Sequence, residues 1–393
     1  MKNYFFLVIS TSILFTNSCI SQENPPLVST PDQSKFSTEL IVDGIESPWG
    51  MDFISENDFL ATEKKGVLYR VVNGVKKEVS GLPKIYVRGQ GGLLDVAIHP
   101  DFKSNGIIYF TAAINIEGDN GGNTGLYLAE LEGYELKKVE LLYKATPNTK
   151  KGQHFGSRIV FDNDGHLFFS VGDRGNRDVN PQNLEKDGGK IYRLKLDGTI
   201  PEDNPFVNKK GGIDAIYSYG HRNPQGMIFH YKTGELWEHE HGPRGGDEIN
   251  IIRERDSIRE EPLLSRNYGW PIVSNGINYN GTSFTDISSL EGTESPSYFW
   301  TPSIAPSGMT MLTSDIYDKW KGNLFIGSLR FRYLERIELI GNYVYKREKL
   351  LDRVGRVREV VQGPDGFLYV GIENKGVFKL VPSKVDFKID IIN

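Results

Sequence analysis

The chain has 393 residues and a formal net charge of −5, with 38% hydrophobic and 25% charged residues. That length suits two average domains or one large all-β unit, and without a basic surplus nothing is set to hold a phosphate backbone, which argues against a nucleic-acid partner. Forty-three glycines beside 21 phenylalanines and 19 tyrosines favour short strands and tight turns over long helices.

The N-terminus reads MKNYFFLVISTSILFTNSCISQ. Lys2 supplies a positive start and Tyr4 to Phe15 a mostly apolar run, too short to span a bilayer and the right length for a secretory signal. Cys19, the chain's single cysteine, excludes an internal disulfide. Its place directly after the apolar run predicts a lipoprotein signal, with cleavage before Cys19 and acylation of its thiol. Thr16-Asn17-Ser18 lacks the usual Leu three residues before the cysteine, so a plain signal peptide is the alternative. Residues 1–18 thus read as a signal and 19–37, polar and rich in proline, as a flexible tether. Residues 38–385 read as the folded domain and 386–393 as a tail. The expectation is an exported bacterial protein, periplasmic or attached to the outer membrane by a lipid anchor alone.

Beyond the tether, a turn followed by alternating aromatic and aliphatic residues recurs six times: ENDFLATE near 56, SNGIIYFTAA near 104, NDGHLFFSVGD near 163, KTGELWEHEHG near 232, KGNLFIGSLR near 321 and PDGFLYVGIENKG near 364. Weakly repeated strand units at this scale predict an all-β, six-bladed β-propeller, with a two-sheet sandwich as the rival. The stretches 174–215 and 253–297 read as long insertions that form the active-site face. Because the inner strands of a propeller surround one channel, the ends of the repeated strands are where distant residues meet.

Several such ends carry reactive side chains. His154 precedes the third repeat and Asp173 follows it; a hairpin brings both to one end, where a carboxylate fixes the imidazole tautomer and frees its other nitrogen to take a proton. A turn His and a turn Asp with no partnership is the bland alternative. YGHRNPQGM crowds His221, Arg222, Asn223 and Gln225 around Pro224 and Gly226, a set of donors suited to a planar anion. WEHEHGPRGGDEIN places Glu238, Glu240, Asp247 and Glu248 in a Gly-rich context that suits Ca²⁺; His239 and His241, two apart on a strand, lack a third zinc partner at the usual spacing. Arg330 and Arg332 end the fifth repeat, and Arg356 and Arg358 alternate ahead of the sixth, so that the last two point to one side and call for an anion. With no GxGxxG opening a helix and no Walker loop, nucleotide cofactors are disfavoured. A tricarboxylated quinone bridged by a divalent cation fits.

These motifs together resemble the soluble pyrroloquinoline-quinone (PQQ)-dependent aldose sugar dehydrogenases, relatives of soluble quinoprotein glucose dehydrogenase. The resemblance runs from about Ser47 to Leu380 through SPWGMDF, RGQGGLLDVAIHPDF, HFGSRIVF, SVGDRG, YGHRNPQG, EHEHGPRGGDEIN, NYGWP, GINYNG, PSIAPSG and RVREVVQGPDG, in that order. It implies a six-bladed propeller with the quinone over the channel mouth. It implies that His154 removes the proton of the sugar's anomeric hydroxyl, that Asp173 orients it, and that hydride passes from the anomeric carbon to the quinone, giving a lactone. Ca²⁺ polarises the quinone carbonyl. Gln90 and Arg222 sit near the reacting centre, and Asn223, Tyr279, Arg330, Arg332, Arg356 and Arg358 hold the quinone. Glu248 and Tyr268 match the Ca²⁺ site of the aldose-dehydrogenase branch; Gly242 and Pro243 match the carbonyls that hold it in the glucose-dehydrogenase branch. The chain departs from the pattern at Arg330, where the glucose dehydrogenases have Lys, at Gln153, where an acid precedes the base, and in the charged loop 253–266. Aldose sugars are the expected substrates. Electrons must leave to a separate acceptor, a cytochrome or the quinone pool, because no C-x-x-C-H haem motif is present. Two rival functions share the architecture: a Ca²⁺-dependent lactonase, which has no need of the Arg cluster, and an extracellular binding module that has lost the quinone site.

Overall fold

The computed structural model describes residues 36–115, 120–253 and 266–383. The expected signal, Cys19, nearly all of the tether, most of the charged loop 253–266 and the C-terminal tail lie outside the described residues. Six four-stranded antiparallel sheets make up the described fold. Their innermost strands are Pro48–Ser55, Leu93–Ile98, Ile159–Phe161, Pro224–Phe229, Pro306–Met311 and Val357–Gln362. Each touches the next around a closed ring, the sixth meeting the first. This is a six-bladed β-propeller, not a sandwich. Hydrogen bonding between the two ends of the chain closes the ring: the first strand of the fold, Phe36–Val42, pairs antiparallel with Gly376–Pro382 and completes the sixth blade.

All six recurring units turn out to be the second strand of a blade rather than the innermost one: Asp58–Glu63, Ile107–Ile114, His166–Val171, Leu236–Glu240, Leu324–Ser328 and Leu368–Ile372. The reason is burial. A second strand is covered on both faces by neighbouring blades and therefore reads as an unbroken apolar run. The inner strands also face the channel and admit polar residues, which masks their pattern. Arg158, ahead of the third inner strand, shows why. Its Nη1 donates to Asp95 at 2.9 Å and to Glu359 at 2.6 Å, its Nε to the Gln225 carbonyl at 3.0 Å, and its guanidinium lies 4.8 Å from the Trp49 ring centre. Five blades are thereby tied together across the axis, four of them by hydrogen bonds. Burial lifts the Glu359 carboxyl to about 7, with Arg158 pulling the other way.

The two expected insertions differ in kind. The stretch 174–215 is not one loop: the strand Lys190–Lys195 runs through it and pairs with His166–Val171. Residues 266–297, by contrast, hold no named strand and connect Asp247–Ile252 to Tyr298–Trp300 in the fourth blade.

Candidate active site

At one end of the ring lies a cleft of about 1120 Å³. It is built from the segments that enter the inner strands and those that leave the second strands. Gln90, Phe155 and Arg356 come from the first set, Lys64, Gly242 and Arg330 from the second, and Tyr279 from the 266–297 connection. The ends of the repeated strands do converge, as the propeller topology predicts.

The turn before the third inner strand is made possible by two glycines. A Cβ on Gly156 would stand 2.7 Å from the Gly172 nitrogen, and one on Gly172 would stand 2.4 Å from the His154 carbonyl. With neither present, the turn packs directly on the end of the second strand. His154 itself sits at φ +56°, a conformation that costs a side-chain-bearing residue energy and tends to persist at functional sites. Gln90 fixes it, its Oε1 accepting the His154 backbone N–H at 2.7 Å. His154 Nδ1 and Asp173 Oδ1 are 2.6 Å apart, leaving Nε2 as the proton-accepting atom. Asp173 Oδ1 also accepts the Gly175 N–H at 2.7 Å, and Oδ2 accepts Trp270 Nε1–H at 3.0 Å. Burial opposes the Asp173 charge, but the hydrogen bond from His154 and the surrounding charges hold its carboxyl below the usual range. Burial and then the Arg222 charge lower the imidazole of His154, against the pull of Asp173. The net result is a neutral imidazole near neutral pH, which a general base needs.

Arg222 is nearly buried. Its Nη1 donates to the His241 carbonyl at 2.8 Å and its guanidinium lies 5.3 Å from the Trp270 ring centre. The Asn223 amide oxygen accepts the Gly156 N–H at 3.1 Å, while its Nδ2 is buried with no hydrogen-bond partner. An orphaned donor beside Gly156, which lines the cationic cleft, is a place for a ligand acceptor. Arg330, Arg332, Arg356 and Arg358 line the same cleft. Arg356 and Arg358 do point one way, but an anion already stands there. Glu373 Oε2 accepts from Arg356 Nε at 2.5 Å, and Glu373 Oε1 accepts from Arg358 Nη2 at 2.7 Å. Burial draws the Arg358 guanidinium down, Glu373 notwithstanding.

The two candidate Ca²⁺ positions are separate places. Gly242 and Pro243 face the large cleft, and the Pro243 carbonyl also accepts Ser303 Oγ–H at 3.0 Å. Asp247 accepts the Gly242 N–H at 2.8 Å and the Ala305 N–H at 2.8 Å, so it braces this turn, and burial lifts its carboxyl to about 6. Glu248 and Tyr268 line a much smaller cavity, about 10 Å³, behind Arg222, together with Glu240 and Gly246. That is roughly the room of one small sphere. Burial pushes the Glu248 carboxyl well up, and Glu240 and Glu238 add repulsion. A half-buried carboxylate among like charges, beside a cavity of ionic size, is the oxygen-donor setting that a hard cation relieves.

Sequence reasoning passed over four contributors. Trp270, inside the NYGWP motif, links Asp173 to Arg222. Glu373 neutralises two cleft arginines. Lys64 lines the cleft and donates to the Gly89 carbonyl at 2.9 Å. Arg174 is buried over the Phe155 ring, 3.4 Å from its centre, and its Nη2 donates to the Lys151 carbonyl at 2.9 Å, so it ties down the segment that carries the base. The signals were, for Arg174, its place next to Asp173 and, for Trp270, its place in NYGWP; for Glu373 and Lys64, only the fold supplies one.

A family model described as glucose/sorbosone dehydrogenase matches residues 45–380. The chain is 38% identical over 343 residues to aldose sugar dehydrogenase YliI of Escherichia coli, covering 85% of this chain and 89% of that protein. The crystal structure of the soluble aldose sugar dehydrogenase from Escherichia coli in its apo form superposes with a TM-score of 0.82 at 36% identity, covering 88% of this chain and 99% of that one. The PQQ-bound form of the Streptomyces coelicolor aldose sugar dehydrogenase gives a TM-score of 0.71 at 26% identity, covering 89% and 99%.

Proposed function

Given that the chain belongs to the glucose/sorbosone dehydrogenase family, an oxidoreductase family acting on sugar CH–OH groups, we propose that it oxidises aldoses at the anomeric carbon to lactones with PQQ and Ca²⁺. The observation that carries this reading is the His154–Asp173 pair, set directly behind Gln90, Phe155 and Gly156 where these line an arginine-rich cleft. Bound quinone supplies the two-electron acceptor for the hydride released from the anomeric carbon. His154 Nε2 takes the proton of the anomeric hydroxyl, and Asp173 holds Nδ1–H so that Nε2 presents its lone pair. Trp270 and the Gly175 N–H hold Asp173 in place. Gln90 holds the backbone of the base. Arg222, fixed by the His241 carbonyl, offers its remaining donors to charge that develops on a neighbouring acceptor.

The donor set fits a tricarboxylated planar ligand. Seven basic side chains, Arg330, Arg332, Arg356 and Arg358 among them, line the cleft against four acidic ones, Asn223 Nδ2 lacks a partner, and exposed Tyr279 adds an aromatic face. Ca²⁺ fits either the Gly242 and Pro243 carbonyls or Glu248 with the Tyr268 backbone. Electrons pass to an external carrier, and the N-terminal signal suggests that this occurs outside the cytoplasm, with Cys19 as the lipid-bearing residue.

The test is reconstitution of the metal-stripped protein with quinone and Ca²⁺, followed by dye reduction with a panel of aldoses and a parallel His154→Ala variant. Turnover that needs both additions and falls by about 10²–10⁴-fold in the variant is expected. Failure to bind quinone, or full turnover by the variant, would sink the reading.

A further inference from the structure

Glu238 and Glu240 alternate on one face of the strand Leu236–Glu240, the face opposite to His239 and His241. The segment that enters the fourth inner strand lays His221 against them. All three side chains are buried, and among the described residues this is the one cluster whose His and carboxylate atoms lie within 4.8 Å of one another. We propose that His221, Glu238 and Glu240 form a second metal site, for a first-row transition dication such as Zn²⁺; it adjoins the Glu248–Tyr268 cavity, which Glu240 also lines, and is set apart from that oxygen-donor position by its imidazole nitrogen.

Separation is the first argument. His221 Nδ1 lies 3.5 Å from Glu238 Oε1 and 3.8 Å from Glu240 Oε1. Both exceed the roughly 2.7–3.2 Å of a hydrogen bond. The same molecule shows what imidazole and carboxylate do when they bond directly: His154 and Asp173 close to 2.6 Å, and His166 and Asp162 to 2.8 Å. The His221 cluster is splayed instead. Ligands about 2.1 Å from a tetrahedral ion stand about 3.4 Å apart, close to what is seen for Glu238 Oε1, a carboxylate oxygen that can accept from Asn250 and still ligate, and for Glu240 Oε1.

Unused donor atoms are the second argument. His221 Nδ1 and Glu238 Oε2 are fully buried with no hydrogen-bond partner. The remaining valences are already oriented, as they are around metal ligands. His221 Nε2 is 2.8 Å from Ser218 Oγ; burial lowers the imidazole but Glu238 and Glu240 raise it to about 9, so Nδ1 holds a proton that a dication seated between the carboxylates displaces. Glu238 Oε1 accepts from Asn250 Nδ2 at 2.8 Å, and Glu240 Oε2 accepts the backbone N–H groups of Arg222 and Asn223. One imidazole nitrogen with two carboxylates selects a borderline ion over Ca²⁺, which takes oxygen alone. An ion on Glu240 Oε1 would hold the carboxylate that in turn holds the backbone of Arg222 and Asn223. Its consequence is a rigid foot to the cleft. The inference goes beyond the proposed activity and does not depend on the quinone.

Co²⁺ is the probe, because its visible d–d bands report nitrogen and oxygen coordination. The full chain is stripped with chelator, saturated with Ca²⁺, and titrated with Co²⁺. One equivalent is expected to bind with d–d bands of four- or five-coordination, to be displaced by Zn²⁺, and to resist excess Ca²⁺. His221→Gln and Glu238→Gln should each weaken it by more than about 100-fold, beyond what the loss of an outer partner costs. Displacement of Co²⁺ by Ca²⁺, no uptake by the wild-type chain, or unchanged spectra in both variants overturns the proposal. The wild-type titration decides even if a variant does not fold.

Discussion

Asp173→Asn changes one atom and keeps the shape of the side chain, yet the structure gives the amide nowhere good to sit. Three donors converge on the two carboxylate oxygens: His154 Nδ1–H and the Gly175 N–H on Oδ1, and Trp270 Nε1–H on Oδ2. With the amide oxygen in the Oδ1 position, its NH₂ faces the Trp270 N–H and a buried donor is left unsatisfied, at a cost of about 1–3 kcal/mol. With the amide turned over, NH₂ faces His154 Nδ1. The imidazole must then carry its proton on Nε2, and the base is lost. The first arrangement also replaces a charge-assisted hydrogen bond by a neutral one, so the imidazolium formed in the reaction loses its counter-charge.

The expected result is a fall in kcat/KM of about 10²–10⁴-fold, the range of a general base. The pH profile adds a sign. In the native protein burial and Arg222 lower the His154 pKa while Asp173 raises it. Removing the Asp173 charge lowers it further. Turnover needs neutral imidazole and is lost as pH falls through that pKa, so the acid limb of kcat/KM should move to lower pH. The assay is aldose-dependent dye reduction by the quinone- and Ca²⁺-loaded protein across pH 4–9, roughly spanning the histidine range. A variant within threefold of wild type, or one whose acid limb stays or moves up, would refute the assignment of Asp173 as the partner of the base.

Other expectations follow from the same contacts. Arg158→Met strands Asp95 and Glu359 in the channel without their cation and should cost about 3–5 kcal/mol at pH 8. Because protonation relieves the two carboxylates, the deficit should shrink as pH is lowered towards 5; urea unfolding at both pH values checks this, and a deficit independent of pH speaks against it. Arg358→Met removes a charged donor from the cleft and should weaken quinone binding by about 1.5–3 kcal/mol, read by fluorescence titration. Gly172→Ala puts a Cβ 2.4 Å from the His154 carbonyl and 2.7 Å from Asn223 Oδ1. It should displace the base by a fraction of an ångström and lower turnover by more than tenfold while the far-UV spectrum is kept; unchanged kinetics would show that the turn has slack.

What the sequence disclosed, and what it hid, follows from where each residue sits. The second strands announced themselves because both of their faces are buried, which writes six apolar runs into the chain. Innermost strands such as Ile159–Phe161 stayed silent, because a channel lined by Arg158, Asp95 and Glu359 breaks the pattern. His154 and Asp173 were legible together, since one hairpin joins them. The alternation of Arg356 and Arg358 was legible as well, but their anion was not. Glu373 lies 15 residues beyond Arg358, and only the return of the next strand carries it back.

The acidic strand shows the same limit at its sharpest. Its alternation places Glu238 and Glu240 on one face and His239 and His241 on the other, and the sequence offers the two histidines as the obvious metal pair. His241 instead has its Nε2 2.6 Å from the Pro306 carbonyl. The imidazole that joins the carboxylates is His221, 17 residues before Glu238, on a segment that sequence spacing connects to nothing. Local periodicity sorts side chains onto faces. Which faces meet is decided by the ring, and in a propeller the meeting points are the strand ends, where a base, its carboxylate, a cationic wall and a buried ligand cluster assemble from all six blades.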